Sequence, residues 1–242
     1  ADLQQAWLDP AVEAILCARG GYGAQRIVDQ LDWPAMAGAE PKILTGFSDI
    51  TTLHEAIALR LHVATVHAPN ICGDGFTAHP AARKALRQAL FDPEAPPPLT
   101  SDPAAWLASG HAAGLTAGGN LSMIAASLGT TDGRGTGGFA GRILLLEDVN
   151  EDCYRLDRML TQLLRSGALD GVAGIVLGTW TGCKPAEGVR LVMADRLGGL
   201  GVPVAWGTGF GHTAPQPAIP LGVPAVLDAA TGTLTFLEAA VS

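Results

Sequence analysis

Residues 41–61, PKILTGFSDITTLHEAIALRL, constrain the fold most, because the hydrophobic period switches within a few residues. Residues 42–45 form an apolar run of the length of a short buried strand. Gly46-Phe47-Ser48-Asp49 makes a turn, and beyond it Leu53, Ala56, Ile57 and Leu61 recur at helical spacing. Thr52 and Glu55 have the spacing of a capping box, a helix start signal. Ser48 therefore stands where a strand breaks into a helix, a turn at which a hydroxyl clears the backbone beside free helix N–H groups. Nucleophilic serines of α/β hydrolases occupy such turns. Ser and Asp are also favoured helix caps, and Ile50 replaces the second glycine of G-x-S-x-G. Taken alone, the stretch fits a cap better than a nucleophile.

The unit repeats. A strand pattern over 12–18 runs into Arg19-Gly20-Gly21-Tyr22-Gly23 and then a helix pattern over 24–31. Such alternation implies a parallel sheet covered by helices. Glycines there allow a backbone N–H to approach a ligand. Neither G-x-G-x-x-G nor a Walker lysine is present, so a plain βα turn satisfies the pattern equally. A third apolar run, 63–66, ends in His67-Ala68-Pro69-Asn70, and 81–90 is helical in pattern.

Three consecutive prolines within 91–103 favour an extended connection. The division expected is an N-terminal α/β domain over 1–91, a linker over 92–113 and a second domain over 114–242. In the second domain, GLTAGGN at 114–120 contains a Gly-Gly-Asn turn ahead of a helix over 121–128. A loop is expected over 129–141 and a buried strand over 142–146, closed by Glu147 and Asp148. Further strands are expected over 174–177 and 202–206, with helices over 154–166 and 188–197. Residues 225–228 and 233–237 read as a closing hairpin.

With 48% hydrophobic and 16% charged residues, the chain of 242 residues has material for a large core. Net charge is −8 with no basic cluster, which excludes nucleic acid as the expected partner. Apolar runs stay well short of the roughly 18 residues of a membrane span. The four cysteines form no C-x-x-C pair, so neither a zinc site nor a redox motif is expected, and a reducing, cytoplasmic setting fits. The sequence begins at Ala1 without Met, which leaves a removed leader open.

Catalytic groups of open α/β sheets gather beyond the carboxyl ends of strands. Ser48, Glu147 and His212 meet that criterion, the last through the turn Gly207-Thr208-Gly209-Phe210-Gly211. A serine needs a base to take its proton, and the base needs an acid to fix its tautomer. Alternatives exist for each: Glu147 or Asp148 as a cap or arginine partner, and His212 as one of six histidines without chemistry. His54 is expected to be packing or solvated in mid-helix, and His67 to line a site. No spacing of metal ligands occurs.

Five segments, ARGGYG at 18–23, GFSDIT at 46–51, AGGN at 117–120, LLLEDVNE at 144–151 and GFGH at 209–212, together resemble the LD-carboxypeptidases. That serine peptidase family also contains the microcin-immunity hydrolases, and the resemblance covers nearly the whole chain. It implies Ser48 as nucleophile, Glu147 as triad acid and His212 as base. The oxyanion hole would be made by N–H groups of Asp49 and of Gly20 or Gly21. The implied fold is a flavodoxin-like or amidotransferase-like parallel-sheet domain followed by a β-rich α/β domain, with no metal or other cofactor, in a homodimer. The implied substrate is a murein tetrapeptide, cut between the L-centre of meso-diaminopimelate and D-Ala during cell-wall recycling. Arg19, Asn70, Gly118, Gly119 and Asn120 are candidates to hold the D-Ala carboxylate, and Arg19 fits a structural ion pair equally. The alternatives are a microcin-immunity type hydrolase of peptide-nucleotide or acyl-sulfamoyl adenylate amides, with Trp180 or Trp106 stacking on adenine, and a non-catalytic α/β binding module. In the family, further strand–helix units precede the RGGYG turn. The expectation is therefore a piece of a longer polypeptide, its remainder either a separate, cleaved N-terminal fragment or disordered, and an N-terminal sheet short of strands; a naturally short member is the alternative.

Overall fold

The computed structural model describes residues 2–92, 94–131 and 133–241. Two sheets carry the chain. The first begins with α1 (Asp2–Leu8), β1 (Ala14–Leu16), α2 (Ala24–Ile27), α3 (Trp33–Ala37) and β2 (Ile43–Gly46). It continues through α4 (Thr51–Arg60), β3 (Thr65–His67), α5 (Asp74–Thr77) and α6 (Pro80–Phe91). The second comprises β4 (Leu99–Thr100), β5 (His111–Asn120), α7 (Leu121–Ala126), β6 (Arg142–Val149), α8 (Cys153–Arg165), β7 (Gly174–Thr181), α9 (Ala186–Leu197) and β8 (Val204–Trp206). The chain then adds β9 (Ile219–Leu221), β10 (Pro224–Asp228) and β11 (Thr233–Phe236). Strand order is β1-β2-β3-β9 in one sheet and β4-β11-β10-β5-β6-β7-β8 in the other.

The apolar strand β6 organises the larger sheet, pairing in parallel with β5 and β7. Successive side chains of a strand point to opposite faces, and both faces of β6 are covered. Leu144 and Leu146 join Leu156, Leu160 and Leu163 of α8 and Val189, Met193 and Leu197 of α9. Ile143 and Leu145 join Val176, Phe210, Ile219 and Leu227. β10 and β11 form the expected antiparallel hairpin.

The segment from β9 to β10 ties the sheets together. β9 runs antiparallel to β3 in the first sheet, while β10 pairs with β5 in the second. Thr116 of β5 donates its hydroxyl to Pro220 O at 2.9 Å, between those two strands. The first sheet packs on α1, α3 and α4 through Trp7, Met36, Leu44, Leu53 and Ile57. β1 ends that sheet, with Leu16 exposed on it.

Two local expectations are corrected. The GLTAGGN stretch is the second half of β5, a ten-residue strand, with its glycines inside the sheet. A Cβ on Gly114 would lie 2.4 Å from Gly141 O, and one on Gly118 would lie 2.1 Å from Leu145 O. The glycines answer close backbone approach by the neighbouring strand, which a sequence pattern does not distinguish from a turn. Thr52 and Glu55 do not cap α4 either. A short 3-10 turn, Ser48–Ile50, leads into that helix, whose N-cap position, Ile50, has no side-chain cap. Glu55 instead accepts from Gly118 N at 3.1 Å and pairs with Arg134 in a buried contact.

Candidate active site

Ser48 follows the carboxyl end of β2 and has φ +65°, a left-handed conformation that non-glycine residues rarely adopt. It is held from several sides. Gly46 O, two residues earlier, accepts from Ala68 N at 3.0 Å and contacts His54 Nε2 at 2.9 Å. Asp49 Oδ2 accepts from Ala24 N at 3.0 Å, which joins the Ser48 turn to the glycine turn before α2. Thr51 Oγ1 accepts from Asn120 N at 3.0 Å, joining α4 to the larger sheet. Gly20 lies directly against the serine: a Cβ there would stand 3.2 Å from both Ser48 Cβ and Phe47 O. Strain at one residue persists when its surroundings over-determine it, and four elements do so here.

His212 arrives from the opposite sheet. Its loop is stitched to β7 by Thr179, which donates its backbone N–H to Phe210 O at 2.8 Å, and by Thr181, whose hydroxyl bonds His212 O at 2.5 Å. His212 Nδ1 lies 2.6 Å from Glu147 Oε2, and its backbone N–H donates to the same oxygen at 3.2 Å. Glu147 is 0% exposed and its other oxygen accepts from Asn120 Nδ2 at 3.3 Å. With Nδ1–H directed at the carboxylate, Nε2 keeps its lone pair. Phe47 packs on the His212 ring with centroids 4.8 Å apart.

Ser48 and His212 line one cavity of about 860 Å³, with Arg19, Gly20, Gly21, Asn70, Asp74 and Gln216 among its other walls. Among the described residues, no hydrogen bond joins Ser48 to His212; such contacts are often loose without substrate. Gly118, Gly119 and Asn120 are buried behind the wall, Asn120 in contact with both Glu147 and Asp148. Burial pushes the Asp148 carboxyl up to about 6, against the pull of donors from Val149, Asn120 and Ser122, and with the Glu147 charge adding to the rise.

Sequence models of the LD-carboxypeptidase N-terminal domain match residues 1–68, and of the LD-carboxypeptidase C-terminal domain residues 113–227. A putative carboxypeptidase of Streptomyces coelicolor is 56% identical across 98% of this chain and 75% of its own length. The chain belongs to the LD-carboxypeptidase family. A murein tetrapeptide carboxypeptidase of Pseudomonas aeruginosa is 34% identical across 94% of this chain and 76% of its own. The crystal structure of muramoyltetrapeptide carboxypeptidase from Oxalobacter formigenes superposes with TM-score 0.82 at 27% identity, covering 97% of this chain and 80% of that one. MccF in complex with glutamyl sulfamoyl guanosine gives 0.81 at 22% identity, covering 100% and 80%, a likeness of fold.

In this member of the family the supports of the site are tertiary. His54 is fully buried, and His67, expected to line a site, is instead buried between Phe47 and Phe210 and is not among the residues lining the cavity. Arg134, from the loop before β6, reaches Glu55 of α4. Gln216 and Asp74 carried no motif; Gln216 lies on the loop before β9 and Asp74 opens the short helix α5, neither specified by a local pattern.

Gly211 has φ +104°, and a Cβ there would fall 2.6 Å from Glu147 Oε2 and 2.7 Å from its Cβ and Cγ. Gly211→Ala is therefore expected to push Glu147 off His212 and to lower peptidase turnover at least ~30-fold, with a stability loss of about 1–3 kcal/mol. Turnover within threefold of wild type would show that the contact is dispensable.

Burial lowers His54 to about 4 and His67 to about 3, the latter further through its neighbours His54 and His212. Both fold neutral, so their contribution to stability is present above the usual 6.5 and is lost as pH falls through the folded values. Linkage gives a loss on the order of 2 kcal/mol per histidine between pH 7 and pH 5. Asp148, raised to about 6, acts oppositely: its contribution is lost as pH rises through 6. Neither His67 ring nitrogen has a partner among the described residues. Because Asp148 offsets part of the two histidines' loss, His67→Phe should remove most of the net fall in stability from pH 7 to pH 5, measured by urea unfolding. An unchanged slope would mean that His67 is not a neutral buried group.

Proposed function

We propose that this protein is a serine carboxypeptidase that removes the terminal D-Ala from murein tetrapeptides at the bond to the L-centre of meso-diaminopimelate. The observation that carries the reading is one cavity bearing both a left-handed Ser48 at a strand-to-helix turn and an imidazole whose Nδ1 is fixed by a buried carboxylate. Ser48 Oγ attacks the scissile carbonyl carbon while His212 Nε2 takes its proton. Glu147 holds the tautomer and stabilises the imidazolium. The oxyanion forms beside the N–H groups of Asp49 and of the Gly20-Gly21 turn, where a bare backbone is needed for close approach. Collapse breaks the C–N bond, and the imidazolium proton leaves on the D-Ala amine. Water, deprotonated by His212, then releases the acyl chain from Ser48. Arg19 on the cavity rim supplies a cation for the D-Ala carboxylate. A homodimer working in cytoplasmic recycling, with neither metal nor other cofactor, belongs to the same proposal.

The microcin-immunity reading shares these groups and differs in what must be stacked. Trp106 lies in the core against Ser101, and neither it nor Trp180 is among the residues lining the cavity. That favours the murein substrate. A non-catalytic module would have no use for a Glu147–His212 pair in the cavity wall.

Incubation with a purified tetrapeptide, followed by mass spectrometry, is expected to show loss of one alanine, and an aminoacyl-sulfamoyl adenosine is expected to persist. The reverse pattern would establish the immunity-type activity instead, and inertness toward both would favour the binding module.

A further inference from the structure

The antiparallel pairing of β3 with β9 stops abruptly at the cavity. Thr65, Val66 and His67 pair with Leu221, Pro220 and Ile219. Carrying that register onward by three places sets Asn70 across from Gln216, with Pro69 opposite Pro217 in between. Neither proline has an N–H to donate, so the ladder cannot continue through them. The two strand ends instead offer side-chain amides to the cavity that both residues line.

Those amides are buried and unpaired. Asn70 is 6% and Gln216 2% exposed, and among the described residues Asn70 Oδ1 and Gln216 Nε2, as oriented here, have no hydrogen-bond partner. Each such group is destabilising while it stays unsatisfied. The pair stands close to the chemistry. A Cβ placed on Gly20 would be 3.1 Å from Asn70 Nδ2 and 3.2 Å from Ser48 Cβ.

We propose that Asn70 and Gln216 read a peptide group on the acyl side of the scissile bond, Gln216 donating to its carbonyl and Asn70 accepting from its N–H. One free donor and one free acceptor match an amide. The D-Ala carboxylate is acceptor-only and would leave Asn70 Oδ1 unpaired. Amide recognition of this kind discriminates strongly, because a substrate lacking the group leaves buried polar atoms unpaired. The inference rests on the carboxypeptidase reading and assigns its specificity to the amide that precedes the penultimate residue.

The test compares D-Ala release from the tetrapeptide and from the dipeptide made of its last two residues, by wild type and by Gln216→Met, with unfolding midpoints checked. Loss of one hydrogen bond of about 1.4 kcal/mol corresponds to tenfold. The variant's kcat/KM is expected to fall about tenfold more on the tetrapeptide than on the dipeptide. An equal proportional fall on both would overturn the inference and leave the carboxypeptidase reading standing. Should Gln216→Met not fold, wild type decides alone. A tetrapeptide with an ester in place of that upstream amide should react about tenfold more slowly, and equal rates would overturn the inference. Release from neither peptide by wild type would remove the carboxypeptidase reading, and this inference with it.

Discussion

Ser48→Ala is expected to lower D-Ala release by about 10⁶-fold, the scale on which loss of a nucleophile is felt when the remaining groups act as a unit. Stability should change little. Ser48 is partly exposed in a turn, its hydroxyl makes no hydrogen bond among the described residues, and alanine inherits the same φ of +65°. Surface substitutions without lost partners stay within about 0.5 kcal/mol. Ser48→Gly sharpens the test. It should be just as inactive, yet about 1 kcal/mol more stable, because glycine adopts the left-handed region without a Cβ penalty. Opposite signs for activity and stability at one position would mark strain retained for chemistry. Near-wild-type turnover by Ser48→Ala, followed as alanine loss by mass spectrometry, would reduce Ser48 to a turn residue.

The parts of the fold that were legible are those whose cause is local. The apolar run over 142–146 reads as a buried strand, and it opens β6, which continues through Glu147 and Asp148 to Val149. The amphipathic spacing puts Leu156, Met159, Leu160, Leu163 and Leu164 on one side of α8, and Leu156, Leu160 and Leu163 of that side are buried. What stayed hidden is tertiary in origin. β9 has three residues and no alternation, and it is a strand because β3 offers it an edge. In the sequence His54 reads as packing or as solvated, and Glu55 as part of a capping box. The whole stretch from Thr51 to Ile57 is nevertheless buried, because α4 is covered by the larger sheet as well as its own. His54 Nε2 meets Gly46 O and Glu55 meets Gly118 N and Arg134, partners that lie far away in sequence or on another element, while His54 Nδ1 has no partner among the described residues. The same holds for the site. The strand-to-helix turn taken alone fits a cap at Ser48 better than a nucleophile, and the motifs of the family resemblance add Glu147 and His212 as its proposed partners. The amides of Asn70 and Gln216 gain their meaning from a strand register.

The second large effect is expected at Glu147, where replacement by glutamine preserves shape and removes charge. Oε2 accepts from both the backbone N–H and Nδ1 of His212, so the glutamine oxygen must take that side. Its NH₂ then meets Asn120 Nδ2, a second donor. Asn120 cannot turn over to relieve the clash, because its Oδ1 already accepts from Ser122 Oγ at 2.6 Å and from Met123 N at 3.2 Å. The imidazole thus keeps its tautomer but loses the negative charge that stabilises its protonated form, and one buried donor is left unpaired. Turnover is expected to fall by about 10³–10⁴-fold, approaching the effect of a mis-set triad acid, with a stability loss of about 1–3 kcal/mol from the unpaired group. The neighbouring acids are poorly placed to compensate. Asp148 accepts from Asn120, Ser122 and Val149, and Glu151 pairs with Arg155 at 2.6 Å. A loss of less than about tenfold in kcat, far short of the triad-acid scale, would move the acid role to one of those two. Repeating the measurement in Asp148→Asn and Glu151→Gln would then identify which.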